Sequence, residues 1–271
     1  MNLFKNSLFK FCSPVLRKIN YFHNAHRGES CYIFGDGVSV KWFELKAFND
    51  RICFTLGVLP FHKRSADLNI KYSLLVEPKY FYPYFKLPSP YNYWWKNNIQ
   101  IKYREMFNRE SERDFFVNLS NYPVLRGRNI YHTFQRFIDV QFDFQKQCIA
   151  EAENMYDGSF STAITLAVFM GFSKITLVGC DYTHADSRSL HWYEKGEGVR
   201  VSQLGYKRKF IEIAQKNVSI DTITTNGGGS YLKGITYKNF TGKELRYQEN
   251  YELLDLEILN SLASWPGYNI F

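Results

Sequence analysis

Short apolar runs, the pattern of buried β-strands, recur along the chain and alternate with segments of helical periodicity. The predicted strands are residues 31–34, 52–56, 72–76, 115–119, 174–178 and 218–224. The predicted helices are residues 40–48, 159–171, 203–217 and 249–263. Strands that alternate with helices indicate an α/β fold with a mostly parallel, Rossmann-like sheet.

Residues 78–95 fit neither pattern, because aromatic residues and prolines follow one another there without a regular period. A segment of this kind is too irregular for one helix or strand. We expect a loop or lid, within a stretch that extends over residues 78–110.

The first 27 residues contain five Lys and Arg residues and no acid, in a chain whose net charge is +8. Pro14 should kink or split any helix here. Spacings of four and three place six apolar residues on one helical face: Phe4, Leu8, Phe11, Val15, Ile19 and Phe22. This basic amphipathic pattern predicts either an interfacial membrane segment or a helix packed on the domain. We therefore divide the chain into a basic N-terminal segment, residues 1–28, and a main domain, residues 29–271.

The charge outside that segment is nearly balanced, at +3 over residues 28–271. Because no recognised nucleic-acid motif accompanies it, we do not expect nucleic acid as a partner. The five cysteines are widely spaced and include no C-x-x-C pair, which indicates thiols in a reducing compartment. No apolar stretch approaches the roughly 20 residues that cross a bilayer as a helix.

Glycines and acids follow the predicted strands at the positions where ligands bind in parallel sheets, the carboxyl ends. They are Gly35-Asp36-Gly37-Val38-Ser39, Glu77 and Gly179-Cys180-Asp181-Tyr182. Two glycines before a helix let backbone N–H groups approach a phosphate, but the third glycine of the dinucleotide fingerprint is missing. Most turns of this kind are tight connections, so a structural role explains it as well. Asp36 would repel a phosphate, which makes it a candidate to bind a ribose hydroxyl or a base.

His191 lies in a polar segment, residues 187–198, with His184 nearby. A loop histidine can act as a general base near neutral pH, or it can be an ordinary surface residue. The spacing of His184, Asp186 and His191 matches no standard metal site, and we expect none.

Three further charged groups have both a functional and a structural explanation. Asp255-Leu256-Glu257 is the nearest match to the D-x-D of metal-using glycosyltransferases. It falls in the predicted closing helix rather than after a strand, so we interpret it as a solvated helix face. Lys63 and Arg64 could pair with a phosphate or face water.

Several segments together resemble a known group of enzymes. One segment is the strand–GDGVS–helix pattern near the start. The other begins at Gly158-Ser159 and continues through ITLAVFMGFSKITLVGCDYTH, residues 164–184, which contains Asp181-Tyr182. These segments resemble the bacterial sialyltransferases of glycosyltransferase family 42 and the related motility accessory factor family, which attaches nonulosonic acids to flagellin. The later segment TNGGGSYLKGI resembles the motility factor branch. The likeness covers roughly residues 30–240.

This resemblance implies a GT-A-like catalytic domain, a CMP-activated sugar donor and inversion at the anomeric carbon. It implies a nucleotide pocket made of Gly35, Asp36, Gly37, Ser39, Gly158, Ser159 and Asp181. The sialyltransferases have Asn in place of Asp36. They also place a phosphate-contacting tyrosine where this chain has Thr183, so Tyr182 or the loop of residues 187–193 is the candidate substitute.

The resemblance further implies that His191 is the catalytic base, and we assign Tyr182 to catalysis beside it. Glu77 and His184 are assigned to the donor sugar or the acceptor. Glu77 stands where the family has an Asn that contacts the donor sugar, which leaves the sugar's identity open.

From the resemblance we expect an inverting glycosyltransferase that moves a sialic-acid-like sugar, of nonulosonate or Kdo type, from a CMP-sugar to a surface glycan. The expected acceptor is a glycan or lipid-linked glycan of polysaccharide or lipooligosaccharide biosynthesis. The aromatic residues 78–95 would suit an acceptor-binding wall, or they form aromatic core under a lid. No cofactor is expected to be required, and Mg²⁺ is expected at most to stimulate.

The expected location is cytoplasmic, with peripheral attachment to the inner face of the cell membrane through residues 1–27. Whether the protein forms a homo-oligomer is left open.

Two alternative functions remain. One is an ATP-dependent pterin-type diphosphokinase of the same superfamily, which would need Mg²⁺ and clustered acids. The other is a non-enzymatic membrane-surface binding protein.

Overall fold

Eight strands form the central sheet of the structure, a computed structural model that describes residues 12–86, 92, 94–96, 98–134, 158–183, 187–201, 207–227 and 231–271. The strands within these ranges are β1 (Ser30–Phe34), β2 (Ile52–Leu56), β3 (Asn69–Leu75), β4 (Phe85–Lys86), β5 (Trp94–Trp95), β6 (Asp114–Asn118), β7 (Ile130–Thr133), β8 (Lys174–Val178), β9 (Ser187–Arg188), β10 (Arg200–Val201), β11 (Ser219–Thr224) and β12 (Lys233–Thr236). The sheet order is β12-β11-β8-β1-β2-β3-β6-β7, and two antiparallel pairs, β4-β5 and β9-β10, stand apart.

Every neighbouring pair in the large sheet is parallel. Besides the helical residues 12–16, the described residues form the helices α1 (Ile99–Arg109), α2 (Gly158–Phe169), α3 (Arg208–Ala214), α4 (Tyr237–Thr241), α5 (Asn250–Leu253) and α6 (Leu256–Ala263). Two separate apolar clusters contain α2 with α3 and α1 with α4 to α6, so helices cover both faces of the sheet. A parallel sheet covered on both faces has buried strands, which is why those strands are continuous apolar runs in the sequence.

The predicted α/β class with a mostly parallel, Rossmann-like sheet is confirmed. All six predicted strands are present, and the strands at residues 52–56 and 174–178 have the predicted bounds. We did not predict α1, α4, β7, β12 or the short strands β4, β5, β9 and β10 from the sequence. Strand β7 is only four residues long, contains His132 and lies at the sheet edge, so it has no long apolar run to reveal it. Helix α1 has many polar residues and follows the irregular aromatic stretch.

The prediction of one helix over residues 40–48 is wrong. Two short 3₁₀-helices, Val38–Trp42 and Leu45–Phe48, are separated by Phe43 and Glu44 in extended conformation. The break lets the Phe43 ring stack on Tyr237, with centroids 5.0 Å apart and planes 16° apart. Packing on the neighbouring element therefore overrides local helical periodicity.

The predicted closing helix, residues 249–263, is likewise divided into α5 and α6. Leu254 and Asp255 between them are extended, and Asp255 occupies the N-cap position of α6. The side chains of Asp255 and Glu257 are largely exposed and lie near Lys63 and Lys102. This agrees with the interpretation of D-x-D as a solvated helix face.

The described part of the N-terminal segment packs on the domain. Residues 12–16 are helical, and a 3₁₀-helix follows at Arg17–Phe22, so the helix changes type shortly after Pro14. Ile19 and Phe22 are buried, and the Phe22 ring lies 4.7 Å from the Tyr131 ring of β7. The part of the apolar face that contains Ile19 and Phe22 is therefore packed against the domain. Phe4, Leu8 and Phe11 lie outside the described residues.

Membrane attachment through residues 1–27 therefore stays a prediction that depends on residues 1–11. In the described ranges, no helix combines the length and the apolar character needed to cross a membrane.

The aromatic stretch 78–95 contributes to both the core and the surface. Phe81 is fully buried, and its backbone N–H donates to Asn121 Oδ1 at 2.9 Å. Trp94 of β5 is 64% exposed. Residues 87–91 and 93 of this stretch lie outside the described residues, so its role as a lid stays a prediction.

Candidate active site

The loops that follow β1 and β8 are packed directly against each other at the carboxyl edge of the sheet. Gly35 N–H donates to the Val178 carbonyl at 2.8 Å, and Gly37 N–H donates to the Gly179 carbonyl at 2.7 Å. A Cβ atom at Gly35 or at Gly37 would lie 2.5 Å from the Gly179 oxygen. These two glycines thus allow close backbone approach, and their N–H groups are already bonded rather than open to a phosphate.

A buried pair, Ser39 and Asp181, joins the same two loops. The Ser39 hydroxyl lies 2.5 Å from Asp181 Oδ1, and the Ser39 backbone N–H lies 2.7 Å from Oδ2. Burial raises the pKa of Asp181 to about 6, although the hydrogen bonds from Ser39 act in the opposite direction. Because both donors of Ser39 point to Asp181, the pair braces the loops. Nucleotide contact by either residue stays a prediction.

Asp36, between the two glycines, directs its carboxylate towards the loop after β2. Its Oδ1 accepts hydrogen bonds from Trp192 Nε1 at 3.1 Å and from Val58 N–H at 3.3 Å. The other oxygen, Oδ2, has no hydrogen-bond partner among the described residues and lies close to Gly57, where a Cβ atom would be 1.8 Å away. Gly57 also has a φ of +56°. A side chain at position 57 would therefore displace this carboxylate.

The Asp36 carboxylate is surrounded by protein but keeps part of its surface open. Burial raises its pKa to about 6, against the opposing effects of His191, Trp192 and the Val58 N–H. An acid that is hard to ionise, at a strand end and with one free acceptor oxygen, is a typical functional-site feature. Its predicted contact with a ribose hydroxyl stays a prediction.

The segment that contains His191 lies alongside this turn. His191 and Gly37 form an isolated antiparallel bridge, and the Trp192 N–H donates to the Asp36 carbonyl at 3.1 Å. These backbone contacts place the His191 side chain at the carboxyl edge of the sheet, beside Asp36.

Glu194 positions His191. Its Oε2 lies 2.7 Å from His191 Nδ1 and accepts the His191 backbone N–H at 2.9 Å. Its Oε1 accepts the Asn269 backbone N–H at 3.1 Å. Burial acts to raise the pKa of Glu194, but the hydrogen bonds from His191 and Asn269 outweigh it and lower the pKa overall. The ionised carboxylate accepts from Nδ1–H and leaves Nε2 as the basic nitrogen.

Tyrosine rings hold the imidazole in its plane. His191 stacks on Tyr193, with centroids 4.9 Å apart and planes 9° apart, and Tyr268 meets it edge-on at 5.4 Å. The His191 side chain is 33% exposed. Among the described residues its Nε2 has no hydrogen-bond partner, so it can accept a proton from a bound molecule.

A buried ion pair fixes the far end of the histidine loop. The Lys41 Nζ lies 2.5 Å from Glu249 Oε1 and 2.8 Å from the Gly196 carbonyl. Glu249 also accepts the Gly196 N–H at 3.1–3.2 Å. Burial lowers the pKa of Lys41, and its interactions with Glu249 act in the opposite direction. The C-terminal segment therefore braces the loop that presents His191.

The remaining predicted residues are spread around this edge. Tyr182 is exposed, whereas Thr183 is buried and donates its hydroxyl to the Cys180 carbonyl at 2.6 Å, so Thr183 cannot replace the phosphate-contacting tyrosine. Glu77 is exposed just after β3. His184 lies outside the described residues.

Gly158 and Ser159 form the first turn of α2. Because α2 leads directly into β8 and must run antiparallel to it, this N-terminus lies at the carboxyl edge of the sheet. Lys63 is partly exposed, and its Nζ donates to the Tyr251 carbonyl at 2.9 Å. Arg64 pairs with Asp67 at 2.6 Å. Neither cation reaches the Asp36–His191 region through a described contact.

We did not identify Glu194, Trp192, Tyr268 or Lys41 as site residues from the sequence. The three-residue spacing of His191 and Glu194 is a local signal that could have revealed the pair. Within the parts of the chain that the structure describes, no three His, Cys, Asp or Glu side chains form a group that could hold a metal ion.

Neither a protein-family model nor a curated protein sequence matches the chain. Among solved structures, the chain is similar to the MAf glycosyltransferase from Magnetospirillum magneticum AMB-1, with a TM-score of 0.47 and 10% identity, over 93% of this chain and 41% of that chain. It is also similar to the sialyltransferase CstII from Campylobacter jejuni in complex with a substrate analogue, cytidine-5'-monophosphate, with a TM-score of 0.43 and 13% identity, over 88% of this chain and 100% of that chain. A structure of the sialyltransferase CST-II in complex with trisaccharide acceptor and CMP has a TM-score of 0.44 and 12% identity, over 87% of this chain and 99% of that chain. These proteins are of the two kinds that the sequence motifs resemble.

Proposed function

We propose that the protein is an inverting glycosyltransferase that moves a sialic-acid-like sugar, of nonulosonate or Kdo type, from a CMP-activated donor to a glycan acceptor. The observation that carries this proposal is the His191–Glu194 pair at the carboxyl edge of the sheet, with 2.7 Å between Nδ1 and Oε2. It leaves a basic nitrogen beside the strand ends, where α/β proteins bind their substrates. The GDGVS and G-C-D-Y motifs support the choice of donor.

In the proposed reaction, His191 Nε2 takes the proton of an acceptor hydroxyl while that oxygen attacks the anomeric carbon of the donor. The new carbon–oxygen bond forms as the bond between the anomeric carbon and the phosphate oxygen breaks, and CMP leaves with the electron pair. A single displacement inverts the anomeric carbon. The Glu194 carboxylate then stabilises the imidazolium, and the nearby Asp36 adds negative charge on the same side.

The leaving CMP needs hydrogen-bond donors, because negative charge develops on its phosphate. The GDG backbone is a poor candidate, since the N–H groups of Gly35 and Gly37 are bonded to β8 and its loop. We assign this role to the exposed Tyr182 and to the N-terminus of α2 at Gly158 and Ser159, because the dipole of a helix favours an anion at its N-terminus. Asp36 Oδ2 is then available to a ribose hydroxyl.

The proposal includes a cytoplasmic location, with the basic N-terminal segment at the inner face of the cell membrane. Since Ile19 and Phe22 are buried in the domain, lipid contact is assigned to residues 1–11. Co-sedimentation with anionic vesicles should fall when Phe4 and Leu8 are both replaced by Asp. Equal partitioning of this variant and the natural chain would remove the membrane assignment.

The test of the donor is a calorimetric and thermal-shift comparison of CMP, CDP, UDP, GDP and ATP, each with and without Mg²⁺. CMP should raise the thermal stability of the protein more than the other nucleotides do, because a ligand that binds the folded state stabilises it. Preference for ATP with Mg²⁺ would support the diphosphokinase alternative. No response to any nucleotide would reject both enzyme assignments.

A further inference from the structure

A continuous line of aromatic rings leads from the histidine pair across the surface. Tyr268 lies 5.4 Å from His191 between ring centroids, Trp265 lies 5.6 Å from Tyr268, and Trp95 lies 5.0 Å from Trp265. Tyr268, Trp265 and Trp95 are each partly exposed. Each ring therefore contacts the next and still keeps open surface. We call these three residues the aromatic track.

Two different parts of the chain build this track. Trp95 comes from β5, whereas Trp265 and Tyr268 lie in the turn that follows α6. That turn is closed by hydrogen bonds from the Trp265 N–H to the Leu262 carbonyl at 2.9 Å and from the Tyr268 N–H to the Trp265 carbonyl at 3.3 Å. Buried Leu262 anchors the end of α6 beneath it.

The position of the track relative to the base is fixed by the histidine loop itself. Asn269 follows Tyr268 and donates its N–H to Glu194, while its carbonyl accepts the Lys195 N–H at 2.7 Å. Asn250 Nδ2 bridges the two segments through the carbonyls of Tyr193 at 3.0 Å and Ile270 at 2.9 Å. The groups that position the base therefore also position the first ring of the track.

We propose that the aromatic track binds the acceptor oligosaccharide, with the reacting hydroxyl at His191 and the sugar chain extending over Tyr268 and Trp265 towards Trp95. This inference rests on the proposed function. The electron-rich face of an aromatic ring attracts the C–H face of a pyranose, and partly exposed rings in a row offer such faces in succession. A contiguous exposed aromatic path that ends at a catalytic group is a feature of ligand-binding grooves.

The test uses the full chain and an array of bacterial surface oligosaccharides, followed by titration of the tightest binder in the presence of CMP. Trp265→Ala should weaken that binding by about tenfold or more, and Trp265→Phe should retain most of it. The matched control is Trp94→Ala, because successive side chains of β5 point to opposite faces and Trp94 is not part of the track. Trp95→Ala should weaken binding, whereas Trp94→Ala should not.

Kinetic measurements distinguish acceptor binding on the aromatic track from the reaction of the donor. In Trp265→Ala the KM for the acceptor should rise by about tenfold, while the rate of donor hydrolysis by water and the affinity for CMP stay within twofold. If the natural chain binds CMP but no oligosaccharide, or if Trp265→Ala and Trp95→Ala bind as the natural chain does, the acceptor subsite is rejected and the proposed function stands. If the natural chain fails to bind CMP, the proposed function itself is rejected.

Discussion

Glu194 binds His191 twice through a single carboxylate oxygen, which accepts the backbone N–H at 2.9 Å and lies 2.7 Å from ring Nδ1. The backbone bond fixes where the carboxylate stands, and the ring bond fixes the tautomer. An anionic oxygen can only accept, so Nδ1 carries the hydrogen and Nε2 is left as the basic nitrogen. The orientation of the base thus depends on one buried carboxylate.

Glu194→Gln should lower kcat by about 10²- to 10⁴-fold, because a neutral amide no longer stabilises the imidazolium that forms during transfer. CMP affinity should stay within twofold. The matched control is Glu197→Gln, which removes a carboxylate that is largely exposed beside Arg188. An unchanged kcat in Glu194→Gln would contradict the assigned role.

Asp36 should make the protein less stable as the pH rises. Burial raises its folded-state pKa to about 6, above the value of about 3.9 expected in the unfolded chain. Its favourable contribution is therefore complete below about pH 3.9 and is lost as the pH rises through 6. Asp36→Asn keeps an oxygen for Trp192 and Val58, so it should increase the free energy of unfolding by roughly 1–3 kcal/mol at pH 8.

Urea denaturation at pH 4 and pH 8 measures this difference, which should nearly vanish at the lower pH. Asp255→Asn, at a largely exposed carboxylate, should have little effect at either pH. Equal midpoints for Asp36→Asn and the natural chain at pH 8 would show that Asp36 ionises without cost in the folded state.

The ion pair of Lys41 and Glu249 should be essential for stability, because loss of the Glu249 charge leaves the fully buried Lys41 ammonium uncompensated. Glu249→Gln should reduce the free energy of unfolding by about 3–5 kcal/mol. Glu44→Gln breaks an exposed pair with Lys243 and should cost about 1 kcal/mol or less. Both variants can be compared by urea denaturation at pH 7. Equal losses in the two variants would mean that the Lys41 pair behaves as a surface pair.

Phe22 should behave as a core residue although it belongs to the basic N-terminal segment. It is 2% exposed and contacts the rings of Tyr72, Phe116 and Tyr131. Phe22→Ala should reduce the free energy of unfolding by about 3–5 kcal/mol. Tyr21→Ala, at a neighbouring residue that is 80% exposed, should change it by about 0.5 kcal/mol or less. A negligible effect of Phe22→Ala in thermal unfolding would mean that this segment is not part of the folded domain.

The central strands could be predicted from the sequence because burial on both faces makes each one a continuous apolar run. Strand β8, residues 174–178, is the best example, since it is flanked by helix α2 and by a glycine. Edge strand β7 lacks that pattern, because its sequence IYHT is short and half polar. The breaks at Phe43 and at Leu254 could not be predicted, since tertiary packing rather than local propensity causes them.

The site was predictable only where a residue type is itself unusual. His191 and Asp36 stand out as a histidine in a polar loop and an acid between two glycines. Glu194 and Tyr268 do not, because their roles depend on contacts that the fold creates, such as the bond between Glu194 and the Asn269 N–H. The G-x-G turn left two explanations open, a phosphate cradle and a tight connection, and the fold uses the N–H groups of its glycines to join two loops.

The most direct measurement is the release of CMP from a panel of CMP-activated nonulosonates and CMP-Kdo, with and without acceptor glycans, by the natural chain and by His191→Ala. The account predicts release from at least one donor that is accelerated by acceptor, and a loss of about 10²-fold or more in His191→Ala with CMP binding intact. Near-natural release by His191→Ala, or no release from any CMP-sugar by the natural chain, would contradict it.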